Sequence, residues 1–310
     1  MGELVVREWR GAVYGCVIPA SEELLYSRRM HWLASLLRVV LSAGLVLSFA
    51  GRSCEQQSSE SASHLGFDRN EYPGDEAMAT LRKQFVFVGY WLSPPPGGQT
   101  NNWSGKREKL AEQGYGFALL YVARPGGSLK TASAASAAGE ADAKRATGNA
   151  KKEGFGEGWA IFLDVEEGGR FNDPRHAYFR AWAETLTREH YRPGFYCSGM
   201  VVKESGGTKV ISSDDIRASL GSVDAVYWVF NDACPPSPGC VSNKEPEPPQ
   251  TSGVSYAAMW QITRSPREDT AKNCPGYYVK DKSCYAAIDT AKKWHLDLDV
   301  ASSTNPSGPK

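Results

Sequence analysis

Two carboxylates lie close together at the end of one apolar segment. Asp164 and Glu166 follow the run at 160–163, which is apolar and partly β-branched, as in a buried strand. Because side chains on a strand alternate between faces, both acids share a face with Phe162. Two neighbouring carboxyls repel one another, which keeps one protonated, and glycoside hydrolysis needs one protonated and one ionised carboxyl. A solvated acidic strand end that caps a helix or binds a lysine is the alternative.

A strand that is apolar on both faces belongs to a parallel sheet or barrel, and sites in α/β barrels form at the carboxyl ends of the strands. The acidic segment is the fourth of eight predicted strands; the others are 64–68, 85–92, 116–122, 195–198, 225–230, 257–263 and 296–300. Helical patterns cover 75–83, 104–113, 135–153, 173–190 and 212–220, and a short one covers 286–293.

This alternation predicts an α/β fold, a single-domain TIM-type barrel. Helices follow the first five strands and none separates the sixth from the seventh, which suggests a (β/α)5(β)3 arrangement. An open doubly wound sheet is the alternative, but no glycine-rich phosphate loop follows the first strand.

Other residues could complete a site at the same edge. Asp68 ends the first strand. Aromatic residues near strand ends could stack on sugar faces, with filling of the barrel as the alternative. These aromatic residues are Tyr90, Tyr121, Tyr196, Trp228 and Trp260. The histidines show no metal-ligand spacing, so neither a metal site nor a cofactor is expected.

Composition bounds the class of protein. The 310 residues are 41% hydrophobic and 23% charged, an ordinary globular composition. Lysine plus arginine and aspartate plus glutamate both number 35, so the net charge is zero. A nucleic-acid partner is not expected without a basic excess.

The amino end is predicted to be an export signal over residues 1–50. Arg28, Arg29 and Arg38 precede a mostly apolar run at 39–50 that ends in a small-x-small cleavage site. Met30 is an alternative start of translation. The chain is therefore expected in the secreted or cell-envelope compartment, with contact to a membrane only through this signal or a lipid anchor at Cys54.

The remaining boundaries and cysteines follow from composition. We expect a polar linker at 51–63, the barrel at 64–301 and a disordered polar tail at 302–310. In an exported protein, the simplest pairing is two local disulfides, Cys234–Cys240 and Cys274–Cys284. Four free thiols in a cytosolic enzyme are the alternative. Cys197 is expected to be a buried core thiol.

Taken together, the motifs resemble the family 25 glycoside hydrolases, which are bacterial and phage lysozymes. The chain resembles still more a related glycoside-hydrolase-like domain of unknown function on exported bacterial proteins. The matching segments are Gly66-Phe67-Asp68, Phe87-Val88-Gly89-Tyr90, Gly139-Glu140-Ala141-Asp142-Ala143, Leu163-Asp164-Val165-Glu166, Gly194-Phe195-Tyr196-Cys197-Ser198, Met259-Trp260-Gln261 and Asp297-Leu298-Asp299.

The resemblance implies a role for each acid. Glu166 would be the general acid, Asp164 would orient or stabilise the reacting 2-acetamido group, and Asp68 would line the same pocket. The family usually has a further acid at the end of the sixth strand, where the matching position here is Asn231. Asn231 and Asp297 are expected to contact the substrate.

Two functions from different classes are carried forward. One is an exported glycoside hydrolase that acts on peptidoglycan or a related amino-sugar polymer. The other is a non-catalytic envelope protein whose barrel binds glycan or a partner. A third interpretation, a cytosolic α/β enzyme, would require Cys234 and Cys240 to be reduced.

Overall fold

The structure, a computed structural model, is a closed eight-stranded barrel. It describes residues 63–232, 246–264 and 296–310, and the backbone of two short strands at 277–278 and 283–284. The twelve strands are β1 His64–Asp68, β2 Phe87–Trp91, β3 Gly116–Val122, β4 Ala160–Asp164, β5 Arg192–Ser198, β6 Val201–Lys203, β7 Lys209–Ile211, β8 Val226–Phe230, β9 Met259–Thr263, β10 Tyr277–Tyr278, β11 Ser283–Cys284 and β12 Asp297–Ala301. The five helices are α1 Asp75–Leu81, α2 Arg107–Glu112, α3 Ala132–Lys152, α4 Asp173–Arg188 and α5 Ser212–Ser219.

Around the barrel the strand order is β1-β12-β9-β8-β5-β4-β3-β2. All neighbouring pairs are parallel except those of β12, which runs antiparallel to both β1 and β9. Helices follow the first five barrel strands in the chain, and the described part of the link between β8 and β9 holds only a 3-10 turn at Pro249–Ser252. The predicted TIM-type fold class is confirmed. The predicted helix at 286–293 lies outside the described residues.

Side chains alternate between the barrel interior and the surrounding helices. On β4, Phe162 packs inside against Trp228, with ring centroids 5.6 Å apart and nearly perpendicular planes. Gly194 on β5 makes this possible, because a Cβ there would lie 2.7 Å from the Phe162 ring. The alternation carries Asp164 and Glu166 onto the interior face at the mouth of the barrel.

Two helices that flank the site begin with side-chain caps. The Thr131 side chain accepts a hydrogen bond from the Ala134 amide at the start of α3, at 3.2 Å. Asn172 accepts one from the Arg175 amide at the start of α4, at 3.0 Å. Such caps satisfy amides that have no partner within the helix and so define where α3 and α4 start.

The expectation of a disordered tail is wrong. Residues 302–310 lie under the barrel, at the end opposite the acids. The Ser307 amide donates to the Phe117 carbonyl and the Ala160 amide donates to the Ser307 carbonyl, both at 2.8 Å. Pairing of β3 with β4 begins only at Leu119 and Ile161. The tail therefore occupies the place beside β3 where β4 has not yet begun.

Several other predictions fall outside the described residues. They include the signal segment, the linker with Cys54, and Cys234, Cys240 and Cys274; Cys284 is described only as backbone. Cys197 is a free, fully buried thiol, as expected. Among the described residues, none of the helices is long and apolar enough to cross a membrane.

Candidate active site

A pocket of about 370 Å³ opens at the mouth of the barrel. Its acidic side chains come from the ends of four strands and the turns that follow them. The carboxylates that line it are Asp68, Asp164, Glu166, Asp232 and Asp297. The structure thus brings together the three residues predicted to be catalytic, Asp68, Asp164 and Glu166.

Asp164 and Glu166 form a linked pair at the end of β4. Asp164 is only 3% exposed, whereas Glu166 is exposed at the mouth. Neither Asp164 oxygen accepts a hydrogen bond from a described donor, so this carboxyl is buried without the partners that would stabilise a charge on it. Burial raises the pKa of Asp164 well above its usual range, and the charges of Glu166 and Asp68 raise it further. Burial therefore favours the protonated form of Asp164.

Asp68 lies deeper in the pocket, at the end of β1. Gly89 on β2 makes room for it, because a Cβ at that position would lie 2.5 Å from the Asp68 Cβ. The Gln261 side-chain amide donates to Asp68 Oδ2 at 2.8 Å. Burial raises the pKa of Asp68 to about 7, against hydrogen bonds from Gln261 and Asp299 that lower it. Near neutral pH Asp68 is present in both protonation states.

The antiparallel strand β12 adds two acids from the opposite direction. Its register pairs Asp297 with Asp68 and Asp299 with Gly66, so Asp297 lies at the mouth and Asp299 beneath it. Asp299 is fully buried and accepts a hydrogen bond from the Trp228 indole at 3.0 Å. Burial raises the pKa of Asp299, and the charges of Asp68 and Asp297 add to the shift. Burial therefore favours the protonated form of Asp299 beneath Asp68, an arrangement that the sequence did not predict.

Two of the predicted aromatic residues, Tyr196 and Trp228, line the pocket. Their ring centroids lie 5.1 Å apart in an edge-to-face arrangement. The Tyr196 hydroxyl donates to the Gln261 carbonyl oxygen at 3.0 Å. That bond fixes the amide so that its nitrogen points to Asp68. This side of the pocket is therefore a series of hydrogen bonds that runs from Tyr196 through Gln261 to Asp68.

Tyr90 and Trp260 do not lie in the pocket, and the expectation that they contact sugar is wrong. Both are fully buried on the outer face of their strands. Tyr90 donates to Glu153 Oε2 at 2.5 Å, and the Trp260 indole donates to the Asn231 carbonyl at 3.0 Å. Tyr121 also faces outward, against Trp182. Each belongs to the opposite parity from the inward-facing residues of its strand, which the position near a strand end does not reveal.

The structure also corrects the acid at the end of β8. Asn231 points away from the pocket and donates to the Ser252 carbonyl at 2.7 Å. Asp232, one residue later, lines the pocket and pairs with Arg264 at 2.7 Å. The signal was in the sequence, because Trp228, Phe230 and Asp232 share the inward face by strict alternation. The end of β8 therefore contributes a carboxylate to the pocket, through Asp232.

A groove of about 610 Å³ adjoins the acidic pocket. Pro96, Asp164 and Glu166 border both. The other residues that line it are Pro94, Pro95, Gly97, Gly98, Tyr121, Val122, Ala123, Arg124, Pro125, Asp142 and Glu167. A long ligand that contacts Glu166 can therefore occupy both spaces. Within the described part of the chain, no group of three or more His, Cys, Asp or Glu side chains is arranged to hold a metal ion.

Comparison with protein-family models finds one match. The model of the Rv2525c-like, glycoside hydrolase-like domain matches residues 82–238. This segment includes Asp164 and Glu166 and is half of the chain. Comparison with curated proteins finds no match.

Solved structures of similar fold share little sequence with this chain. An uncharacterised protein from B. stearothermophilus is 20% identical, with 77% of this chain and 95% of that chain covered and a TM-score of 0.48. The Tat-secreted protein Rv2525c of Mycobacterium tuberculosis, in complex with HEPES, is 14% identical over 76% and 94% of the chains, with a TM-score of 0.45. A family 25 glycosyl hydrolase from Bacillus anthracis is 11% identical over 77% and 89%, with a TM-score of 0.43.

Proposed function

The chain belongs to the Rv2525c-like, glycoside hydrolase-like domain family, and we propose that it is an exported hydrolase of peptidoglycan or a related amino-sugar polymer. One observation carries the proposal. Asp68, Asp164 and Glu166 line a single pocket at the mouth of the barrel. Glycoside hydrolysis requires such a set, with one protonated and one ionised carboxyl beside the scissile bond.

The pair at the end of β4 supplies the acid. Glu166 is exposed at the mouth and can reach the leaving-group oxygen, while Asp164 lies buried beneath it in the same pocket. In this proposal Glu166 donates the proton to the leaving group. Asp164, whose pKa is raised by burial and by the charges of Glu166 and Asp68, is the group that faces the reacting sugar.

Ionised Asp68 completes the chemistry. In its charged form it stabilises the positive charge that develops on the sugar ring as the glycosidic bond breaks; water then adds to the anomeric carbon, and the proton that this water gives up restores the acid at Glu166. Its pKa of about 7 means that the charged form grows as the pH rises through neutrality, while a general acid loses the proton it must donate as the pH rises further. Activity should therefore follow a bell-shaped pH profile.

A second candidate function is binding without catalysis. It is favoured by the same burial, since Asp68, Asp164 and Asp299 all have raised pKa values. A pocket with most carboxyls protonated would hold a neutral sugar by hydrogen bonds and lack the charge needed for turnover.

Export is part of the proposal and rests on the sequence of residues 1–62. Cleavage after Ala50 would leave Cys54 near the new amino end, where lipidation is the alternative to release. Mass spectrometry of the mature protein distinguishes the two, because Cys54→Ser removes the whole added lipid mass from a lipidated protein, whereas a simple cleavage product changes only by the difference between sulfur and oxygen.

Release of reducing ends from purified peptidoglycan tests the catalytic proposal. Glu166→Gln keeps the shape but cannot transfer a proton, so we expect the rate to fall by a factor of about 10² to 10⁴. Glu112→Gln is the matched control, since Glu112 is exposed on α2 outside both spaces at the mouth. Glu167 is not a suitable control, because its carboxylate accepts a hydrogen bond from the buried Arg175 side chain at 2.6 Å.

The outcomes separate the candidates. If the wild-type protein releases no reducing ends but sediments with peptidoglycan, the binding function replaces the hydrolase. If Glu166→Gln and Glu112→Gln are equally active, Glu166 is not the acid. If the protein neither cleaves nor binds, both functions are wrong.

A further inference from the structure

One buried carboxylate at the far end of the groove binds two arginines, Arg124, which lines the groove, and Arg145, which contacts the same carboxylate from beside the lining. Asp142 on α3 has a side chain 4% exposed, and Arg124 and Arg145 contact it with side chains 43% and 53% exposed. Arg124 binds both oxygens, through Nε at 2.7 Å and Nη2 at 3.1 Å. Arg145 Nη2 donates to Oδ1 of the same carboxylate. Each guanidinium keeps part of its surface in solvent.

The arginine pair is fixed from below. Tyr178 on α4 donates to Asp142 Oδ2 at 2.9 Å. Arg175, with a side chain 3% exposed, donates to the Arg124 carbonyl and lies over the Phe179 ring at 4.9 Å. The backbone that carries Arg124 is therefore held in place before any ligand arrives, which lowers the entropy cost of binding.

The charges at this end of the groove do not cancel. Two guanidinium groups share the single carboxylate of Asp142, which leaves one positive charge. The nearby Glu167 is neutralised by Arg175 at 2.6 Å. At the other end, Asp164 and Glu166 border both the groove and the acidic pocket. The groove thus runs from the proposed acid to a site that attracts an anion.

The wall between these ends is apolar. Pro94, Pro95, Pro125, Val122 and Ala123 line it. A sugar ring carries hydroxyls around its edge and needs polar side chains along its path. A chain of acyl or amide units with small apolar groups suits this wall better, and a terminal carboxylate on such a chain would meet the forked donors of arginine.

We propose that this groove binds a carboxylate-bearing acyl or peptidyl branch of the glycan, with Arg124 and Arg145 as the residues that select it. This assignment rests on the proposed function, since the branch must project from a sugar bound beside Glu166. The substrate class is thereby narrowed to glycans with an anionic branch next to the bond at the acidic pocket. Neutral polymers of the same sugar would bind without this contact.

Binding measurements on the full chain test the assignment, with Glu166→Gln as the background so that no ligand is consumed. The probes are a peptidoglycan tetrasaccharide with stem peptides, one with lactyl groups only, the stem-peptide form with its carboxyls amidated, and chitotetraose. Arg124→Gln and Arg145→Gln should each weaken a carboxylate-bearing probe about tenfold, the range of one charge-assisted contact. Affinity for chitotetraose and for the amidated probe should stay within about twofold.

Controls keep the result interpretable. Lys144→Gln removes a positive charge one residue from Arg145, at a side chain that pairs with Glu140 at 2.7 Å. This variant should leave the affinity for every probe unchanged. Either single arginine variant leaves Asp142 bound to the other arginine and to Tyr178, so both should fold, which thermal unfolding checks. Arg124→Lys keeps the charge without the fork and should give an intermediate loss.

Two results would overturn the assignment. One is an equal loss of affinity for the carboxylate-bearing probes and for chitotetraose. The other is unchanged affinity for the carboxylate-bearing probes in both arginine variants while chitotetraose still binds, which leaves the proposed function intact. If none of the four probes binds to the wild-type protein or to the Glu166→Gln background, the proposed function and this assignment fail together.

Discussion

The two ends of the barrel differ in how they treat polar groups. At the mouth, Asp68, Asp164 and Asp299 are buried together, and burial raises the pKa of each. We call the opposite end of the barrel, where residues 302–310 lie, the floor. There the tail provides hydrogen-bond partners for amides and carbonyls of β3 and β4 that have none within the sheet. Asn305 accepts from the Phe117 amide at 2.9 Å, and the Ser307 hydroxyl accepts from the Leu119 amide at 2.8 Å.

This difference shows where the fold gains and loses stability. Buried acids close to one another oppose folding whenever they ionise, and proteins tolerate such groups mainly at functional sites. Fully paired backbone groups, as at the floor, contribute favourably. We therefore expect changes at the floor to destabilise the protein without touching the site. Changes that remove an acid at the mouth should impair the site without destabilising the protein.

Deletion of residues 303–310 should have the largest effect on stability. It removes the acceptors of the Phe117, Leu119 and Ala160 amides and the donor to the Phe117 carbonyl. At about 1 kcal/mol for each bond, the free energy of unfolding should fall by about 4 kcal/mol. Guanidinium unfolding measures it. Deletion of the exposed Lys310 alone is the control and should change little; equal stability of the long deletion and wild type would mean that the tail does not close the floor.

Asp68→Asn should stabilise the protein, by on the order of 2–4 kcal/mol at pH 8. The asparagine oxygen can still accept from Gln261 and its nitrogen can donate to Asp299, but no buried charge forms. The same variant should lose activity, because the carboxylate that stabilises the sugar cation is gone. Thermal unfolding and release of reducing ends, measured on the same sample, should move in opposite directions.

The pH dependence of stability shows whether the buried charge of Asp68 causes the difference between Asp68→Asn and the wild type. The pKa of Asp68 is about 7 in the folded protein and 3.8 in the reference state, so the folded state binds the extra proton between about pH 4 and pH 7. Wild-type stability should therefore fall as the pH rises through that window. The advantage of Asp68→Asn should vanish near pH 4 and be complete above pH 7. An advantage of the same size at both pH values would contradict this account.

The sequence predicted the barrel and its acids because both depend on local pattern. Short continuous apolar runs identified the strands, and in a parallel barrel an acid at the carboxyl end of a strand lies at the mouth. What it missed depends on parity or on distant partners. The family resemblance places the acid of the sixth strand at Asn231, one residue before Asp232, and one residue reverses the face. The tail looked disordered because its composition is polar, and composition does not show that Ser307 meets the Leu119 amide.

Glu167→Gln should cost stability by about 1–2 kcal/mol, through the loss of a charged partner for buried Arg175. Glu166, its neighbour in sequence, should behave in the opposite way, since Glu166→Gln removes an acid from the crowded mouth. Glu167 Oε1 also accepts from the Gly126 amide at 2.9 Å, a bond that glutamine can keep. Chemical unfolding of the two variants side by side measures the difference, and equal destabilisation of both would contradict the contrast.

Ser307→Ala should have the smallest effect, and the most local. Ser307 is fully buried, and its hydroxyl accepts from the Leu119 amide at the point where β3 lacks a neighbour. Alanine keeps the backbone bonds of the tail but leaves that amide without an acceptor, at a cost of about 1 kcal/mol. Hydrogen exchange should quicken at Leu119 and not at Ile161, which belongs to the paired part of the sheet. Ser302→Ala, at an exposed position, is the matched control. If both serine variants leave exchange at Leu119 unchanged, the side chain of Ser307 adds nothing to the floor, and its closure depends on the backbone of the tail alone.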